Sequence, residues 1–459
     1  MRLTKAQVQS KVHVVPVLRF EQQQQLTSFA GAVLYQMLFR TLNLKARLRQ
    51  CFGNGSEARA YGAHVVVLSL VLHLLLGFRQ LRDRDYYCND PLVCRVLGLR
   101  RLPDVATSTR TLGNCANRDV ERGRRLLRTL VLERLRTEGL KRVTLDYDGS
   151  VLTTRRHAEG TAVGFNRKRK GARSYYPLFC TLAQTGQFLD FYHRPGNVHD
   201  SNGALGFMRG CVDAVHQYLP GAQLETRVDG AFFDERILSF YATRHVEFSA
   251  SLPFERFPQL KRTIEQRCRW HRMDNTWAYF ELTWKPKCWR TGFRIVVFRK
   301  RSLLQRKGPL QLDLFEPRDH QFEYKAVVTN KQGHAHSVLR FHNGRGSQEG
   351  LLGEAKQSAQ LEFIPCRRLV PNQLVLLAPL LAHNLGREMQ MSAKPRVRGT
   401  TAKRRALWDF ETLGTLRQRL VQRAGRLTSP AGELTLTVGA NQATCLELTE
   451  YLAALQQAA

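Results

Sequence analysis

Acidic residues are scarce in this chain: 38 Asp and Glu stand against 71 Lys and Arg in 459 residues, a net charge of +33. A deficit of that size fits a protein that meets a polyanion, and the surplus cations are spread along the chain rather than held in a tail. Other features are missing too. None of the ten Cys, at 51, 88, 94, 115, 180, 211, 268, 288, 366 and 445, forms a Cys-x-x-Cys pair, which argues against a zinc site or a disulfide framework and for reduced thiols in a cytoplasmic protein. Long apolar runs are absent: Val65 to Phe78 is too short to span a bilayer and contains His73, so it reads as a buried helix and no membrane partner is expected. Met1 to Lys11 lacks the apolar core of a signal peptide. There are no internal repeats, and Gln22 to Gln25 is the one low-complexity tract. What is present is 43% hydrophobic content, enough over this length for two to four domains with real cores, unlike most ribosomal or chromatin proteins.

Residues 18 to about 138 carry apolar residues at helical spacing, interrupted by Gly53 and Gly55. Within them Asp90 to Asn117 resembles a helix-turn-helix, a pattern shared by DNA readers and by plain packing pairs. The character changes at Arg142. Val143 to Asp148 alternates as a strand; Tyr176 to Gln184 and Gln187 to Arg194 form a hairpin around Thr185-Gly186; a helix follows over Gly203 to Leu219. Next come a strand, Leu224 to Val228, ending on Asp229-Gly230, a helix over Asp234 to Arg244, and a strand over Val246 to Ser251. This order predicts a mixed α/β sheet of the ribonuclease H-like kind. Residues 252 to about 328 hold Trp270, Trp277, Trp284 and Trp289 and three strong β runs, and are expected to be a β-rich insertion. Helices return from Gln348 through Glu388, then a basic segment, Lys394 to Arg405, leads to a last helix at 444–457. The expected division is a helical DNA-binding domain (1–138), a catalytic α/β domain (139–395) and a basic, helical C-terminal region (396–459).

Three acids stand out. Arg345, Glu349 and Lys356 share one helical face, placing a carboxylate between two cations, as suits a metal beside a phosphate backbone or a solvated salt-bridged stripe. Two-metal phosphoryl transfer needs carboxylates from separate segments that converge on divalent ions. Asp148 and Asp229, late on their strands, supply two, although Asp148-Gly149 and Asp229-Gly230 are also ordinary turn pairs. Asp146 shares a strand face with Asp148 and stays open as a rival. Glu354 rivals Glu349 but sits five residues on, rotated by about 140° from the stripe.

The chain resembles the DDE transposases of bacterial insertion sequences, in the branch with a β insertion and a Tyr-x2-Arg-x3-Glu-x6-Lys signature. Arg345, Glu349 and Lys356 match that signature, with His342 at the Tyr position. The matching stretches are Leu26 to Gly31, LDYDGSVL (145–152), AVGFNRKRKGARSYYPLFC (162–180), RPGNVHDSNGA (194–204) and RVDGAFF (227–233). The resemblance implies Asp148, Asp229 and Glu349 as catalytic residues holding two Mg²⁺ ions, with Mn²⁺ able to substitute. It implies DNA contacts from Arg345, Lys356 and His342, and from the basic turn Arg167, Lys168, Arg169, Lys170 and Arg173, which is otherwise a solvated loop. Trp277, Trp284 and Trp289 are candidates for stacking on a flipped base. After the first acid the family has Ser or Thr; here Gly149 follows Asp148. The expected activity is cut-and-paste transposition, with double-stranded DNA (terminal inverted repeats and target) as partner, a homodimer in the synaptic complex, and a cytoplasmic, nucleoid-associated location in a bacterium. A DNA-hairpin intermediate is implied as well. The alternatives are a ribonuclease H-like nuclease that does not join ends and an inactive transposase-derived repressor.

Overall fold

A computed structural model describes residues 17–18, 25–53, 61–154, 157–164, 166–301, 322–398 and 406–458. Met1 to Lys11, most of Gln22 to Gln25, Gly55 and residues 399–405 of the basic segment lie outside the described residues.

After a short strand β1 (Leu26–Thr27), six helices follow: α1 (Val33–Thr41), α2 (Leu44–Phe52), α3 (Ala63–Leu76), α4 (Pro91–Leu97), α5 (Val105–Gly113) and α6 (Asn117–Thr137). Helix α3 is apolar on nearly every side and buried accordingly; Gly77, at φ 106°, closes it. The Asp90 side chain caps α4 through the Leu92 and Val93 amides, Gly98 ends it at φ 73°, and Asp104 caps α5, so the expected helix pair forms. Among the described residues no helix is long and apolar enough to cross a membrane. All ten cysteines are free thiols.

The α/β part runs β2 (Arg142–Gly149), β3 (Leu152–Thr153), β4 (Ala162–Val163), β5 (Arg173–Tyr175), β6 (Leu178–Leu182), β7 (Phe188–Tyr192), α7 (Ala204–Tyr218), β8 (Gln223–Val228), α8 (Glu235–Thr243) and β9 (Glu247–Ser251). It continues with α9 (Pro258–Glu265), β10 (His271–Arg272), β11 (Trp277–Trp284), β12 (Phe293–Arg301) and β13 (Phe322–Thr329). Helices α10 (Ala335–Asn343), α11 (Gly346–Ser358) and α12 (Leu369–Ala393) complete it. Among the described residues, nine strands make one mixed sheet in the order β10-β11-β12-β13-β9-β8-β2-β6-β7. Strands β2, β8 and β9 are parallel and their outer neighbours antiparallel. The strands of the expected insertion lengthen the same sheet, because β13 pairs with β9.

Period-2 alternation sorts β2 between two environments. Val143, Leu145 and Tyr147 join the core that includes α7 and α8, while Thr144, Asp146 and Asp148 face the other way. The C-terminal region departs from the expected helices. A helical turn at Leu413–Leu416 leads to β14 (Gly425–Thr428) and β15 (Thr435–Val438), and β14 pairs with β1; helix α13 (Gln442–Gln457) ends the chain as expected. Arg417 donates to the carbonyls of Leu74 and Leu75, so this region shares a core with the N-terminal helices and α12.

Candidate active site

On the polar face of the parallel pair β2/β8, residues stack in rungs. Thr144 pairs with Glu225 and Asp146 with Arg227. In the first rung the Thr144 hydroxyl donates to Glu225 at 3.0 Å, and Arg142 and Lys331 neutralise that acid at 2.6 and 2.7 Å. In the second, Arg227 Nε donates to Asp146 Oδ1 at 2.6 Å and its Nη2 to Oδ2, with both side chains at 1% exposure or less. A buried bidentate pair consumes both partners' charge. Asp146 is thereby occupied in the frame. The same guanidinium reaches the Phe341 carbonyl at 3.3 Å, and a Cβ on Gly344 would fall 2.1 Å from its Nη1. Gly344 lets the backbone between α10 and α11 sit on the Arg227 head. Gln348 adds a bond from its Nε2 to the Asp146 carbonyl at 3.0 Å. These contacts press α11 onto the ends of the central strands.

One rung further, the pattern of neutralisation stops. Asp148 follows Asp146 by two residues on β2, Asp229 is the residue after β8, and the Asp229 charge acts on Asp148. Asp148 is 21% exposed, and burial, followed by the Asp229 charge, pushes its carboxyl up to about 7 against the opposing pull of Arg345. Asp229 caps the turn after β8 by accepting the Ala231 amide at 3.0 Å. Arg345 stands between two acids: its guanidinium is 3.7 Å from Asp148 and 3.6 Å from Glu349. Glu349 is 67% exposed on the first turn of α11. Its rival Glu354 points inward, paired with Arg387 and accepting the Leu413 amide at 3.1 Å. Asp148, Asp229 and Glu349 thus share one neighbourhood, and their hard carboxylate oxygens suit Mg²⁺ or Mn²⁺. Among the described residues, no three His, Cys, Asp or Glu side chains are grouped so that they could hold a metal ion as they stand.

The other expected residues scatter more widely. His342 is buried, with Nδ1 3.0 Å from the Ser249 hydroxyl and Nε2 2.9 Å from that of Ser251. Burial, with Lys325, Arg345 and Arg227 nearby, holds the ring neutral. His342 fastens α10 to β9 and does not face solvent, contrary to the expected DNA contact. Lys356 pairs with Glu362 at 2.9 Å rather than with Glu349. Arg167, Lys168, Arg169 and Lys170 are exposed on a turn shaped by Asn166, whose Oδ1 accepts the Arg169 amide at 3.0 Å; Arg173 instead bonds the Thr161 carbonyl and hydroxyl. Of the tryptophans, Trp277 lies at the far end of the β11–β12 hairpin against Phe298, and Trp284 packs edge-on to Phe257. Trp289, in the hairpin connection, stacks on Phe233, four residues past Asp229, with centroids 4.5 Å apart. Hence Trp289 is the candidate adjoining the second acid's loop.

Sequence reasoning missed Arg227, Gln348, Arg194, Tyr176 and Asp200. Arg227 precedes Asp229 by two, so its placement on the carboxylate face was legible from period 2 alone. Asp200 was quoted within a motif but carried no spacing signal. The structure packs it against Gly149, the neighbour of Asp148, where a Cβ would lie 2.8 Å from its Oδ1; burial raises its carboxyl, and the Asp229 charge adds to that.

Comparison with known proteins supplies a family. Residues 12–459 match the family described as Transposase DDE domain group 1. No curated protein matches the chain. Among solved structures, the cryo-EM structure of a piggyBac transposase synaptic complex with hairpin DNA aligns at a TM-score of 0.37 and 10% identity, over 87% of this chain and 82% of that one.

Proposed function

The chain belongs to the transposase DDE domain group 1 family, and from that premise we propose that it is a cut-and-paste transposase of a bacterial insertion sequence with Asp148, Asp229 and Glu349 as its metal-binding triad. One observation carries the reading: Asp148, near the end of β2, feels the charge of Asp229, the residue that follows the neighbouring parallel strand β8, and Arg345 joins Asp148 to Glu349. The strands β7-β6-β2-β8-β9 read as a ribonuclease H-like sheet, with β10 to β13 added at its edge. The fit to a divalent ion rests on two carboxylates held together without a matching cation for each. Glu349 completes the set by turning inward from its exposed position. Bound Mg²⁺ or Mn²⁺, in two sites, would stabilise charge on the scissile phosphate and acidify the attacking water or 3′-hydroxyl.

The chain's own groups do the rest. Arg345 offsets part of the carboxylate repulsion and faces the incoming phosphate. The turn Arg167–Lys170, with Lys356 once released from Glu362, tracks the DNA backbone. Helices α4 and α5 and their neighbours recognise terminal inverted repeats, and two protomers pair the element ends in the bacterial nucleoid. Incubating the protein with a pre-cleaved element end, target DNA and Mg²⁺ tests this reading. Joined product is expected; hydrolysis without joining would make it a nuclease, and normal cleavage by Asp229→Asn would refute the site.

A further inference from the structure

The loop from His193 to Gly203 crosses the end of β2, and its shape is set by one buried arginine. Arg194, 2% exposed, donates from Nη1 to the carbonyls of Asp200, Asn202 and His199 at 2.9, 3.1 and 3.3 Å, and from Nε to that of Tyr176 at 3.1 Å. Its guanidinium also lies over the Tyr176 ring, 5.3 Å from the centroid. Four carbonyls gathered on one cation fold the loop back on itself. The Asp200 side chain returns to the end of β2 at Gly149, where Oδ2 accepts the Tyr176 hydroxyl at 3.1 Å. Among the described residues, the buried Oδ1 has no hydrogen-bond partner; its nearest cation is Arg194 Nη2 at 3.5 Å.

Gly149, next to Asp148, ties this pair to the site. A Cβ there would lie 2.5 Å from Tyr176 Cζ and 2.8 Å from Asp200 Oδ1, closer than real contacts allow. The space beside Gly149 is taken by a tyrosine and a carboxylate arriving from elsewhere in the chain. Burial raises the Asp200 carboxyl, and Asp229 raises it further. Arg194 and the Tyr176 hydroxyl offset part of that cost, and burial still leaves the carboxyl raised.

We propose that Asp200, held by Tyr176 in the space left by Gly149, is a positioning residue of the metal site, accepting hydrogen bonds from the water shell of an ion carried by Asp148 and Asp229. The inference rests on the triad assigned above. Hydrated Mg²⁺ is usually held by one or two carboxylates and keeps several waters, which need acceptors of this kind.

The test is calorimetric titration of Mn²⁺ into the full-length protein without DNA. Asp200→Asn is expected to weaken binding by about 10- to 100-fold, with a melting temperature no lower than that of the parent. Tyr176→Phe keeps the ring and loses the hydroxyl, and is expected to weaken binding roughly fivefold; it serves as the test if Asp200→Asn does not fold. Affinity within about twofold of the parent in either folded variant, while Asp148→Asn still weakens binding, would overturn the proposal. If Asp148→Asn and Asp229→Asn also leave Mn²⁺ affinity unchanged, the triad itself fails, an outcome distinguishable from failure of Asp200 alone.

Discussion

Successive rungs of one strand pair treat the same side chain in opposite ways. Asp146 is sealed against Arg227, while Asp148, two residues on, meets another acid and an arginine it must share with a third. In the inner rungs the carboxylates are matched, Asp146 by Arg227 and Glu225 by Arg142 and Lys331, which also serve Glu247, and the result is structure: Arg227 extends past Asp146 to hold the Phe341 carbonyl of α10. In the outer rung, among the described residues, Asp148 and Glu349 share Arg345, and the residual negative charge is what the proposed metal site would use. An unneutralised rung can be kept because the neutralised ones beneath it hold the strands and α11 in place.

The largest effects come from exchanging the two acids' fates. Asp148→Asn should leave the protein folded and lower Mg²⁺-dependent cleavage by about a thousandfold or more, ~4 kcal/mol of transition-state stabilisation. Asp146→Asn should instead lower unfolding free energy by about 3–5 kcal/mol, since it strands the Arg227 charge in the interior. Circular dichroism melts beside a gel cleavage assay separate the two, and a destabilised Asp148→Asn or a stable, inactive Asp146→Asn would invert the assignment.

A smaller effect sharpens the comparison through pH. The native Asp148 carboxyl titrates at about 7 and its unfolded counterpart near 3.8. Between those values the native state binds more protons, so without divalent ions stability falls as pH rises from 4 through 7. Asp148→Asn removes that slope. Its advantage over the parent should be negligible at pH 4 and on the order of 2 kcal/mol at pH 8, after allowance for partial exposure. Melts in EDTA at several pH values measure it, and added Mg²⁺ should shrink the difference.

The smallest effect concerns Lys356, whose partner Glu362 is half exposed. Lys356→Ala should change stability by less than about 1 kcal/mol. It should weaken DNA binding similarly for all sequences and lower the salt slope by about one. Fluorescence anisotropy at three salt concentrations checks both.

Much of this was readable in the residues. The strands carrying Asp148 and Asp229, the hairpin turned by Gly186, the helix bearing Glu349 and the capped pair α4–α5 follow from local periodicity and cap chemistry, which act over a few residues. The β-rich segment was legible as strands but not as the continuation of the sheet, because pairing of β13 with β9 joins residues about 80 apart. The strands β14 and β15 were missed: each is four residues long, and one is sustained by β1 nearly 400 positions away. His342 was misread as a DNA contact because its two serine partners lie on β9.

By itself the sequence determined the charge that calls for a polyanion, the alternation that puts carboxylates on one face of β2, and the spacing that aligns Arg345 with Glu349. All three depend on composition or on neighbours along the chain. Only the tertiary structure decided that Asp146 is paired with Arg227 while Asp148 shares Arg345 with Glu349, that Gly149 and Gly344 have no room for a side chain, and that Asp200 packs against Gly149. Whether a carboxylate is matched depends on cations delivered from β8, the α10–α11 connection and the loop after β7, and on how much water the surrounding packing leaves to screen it.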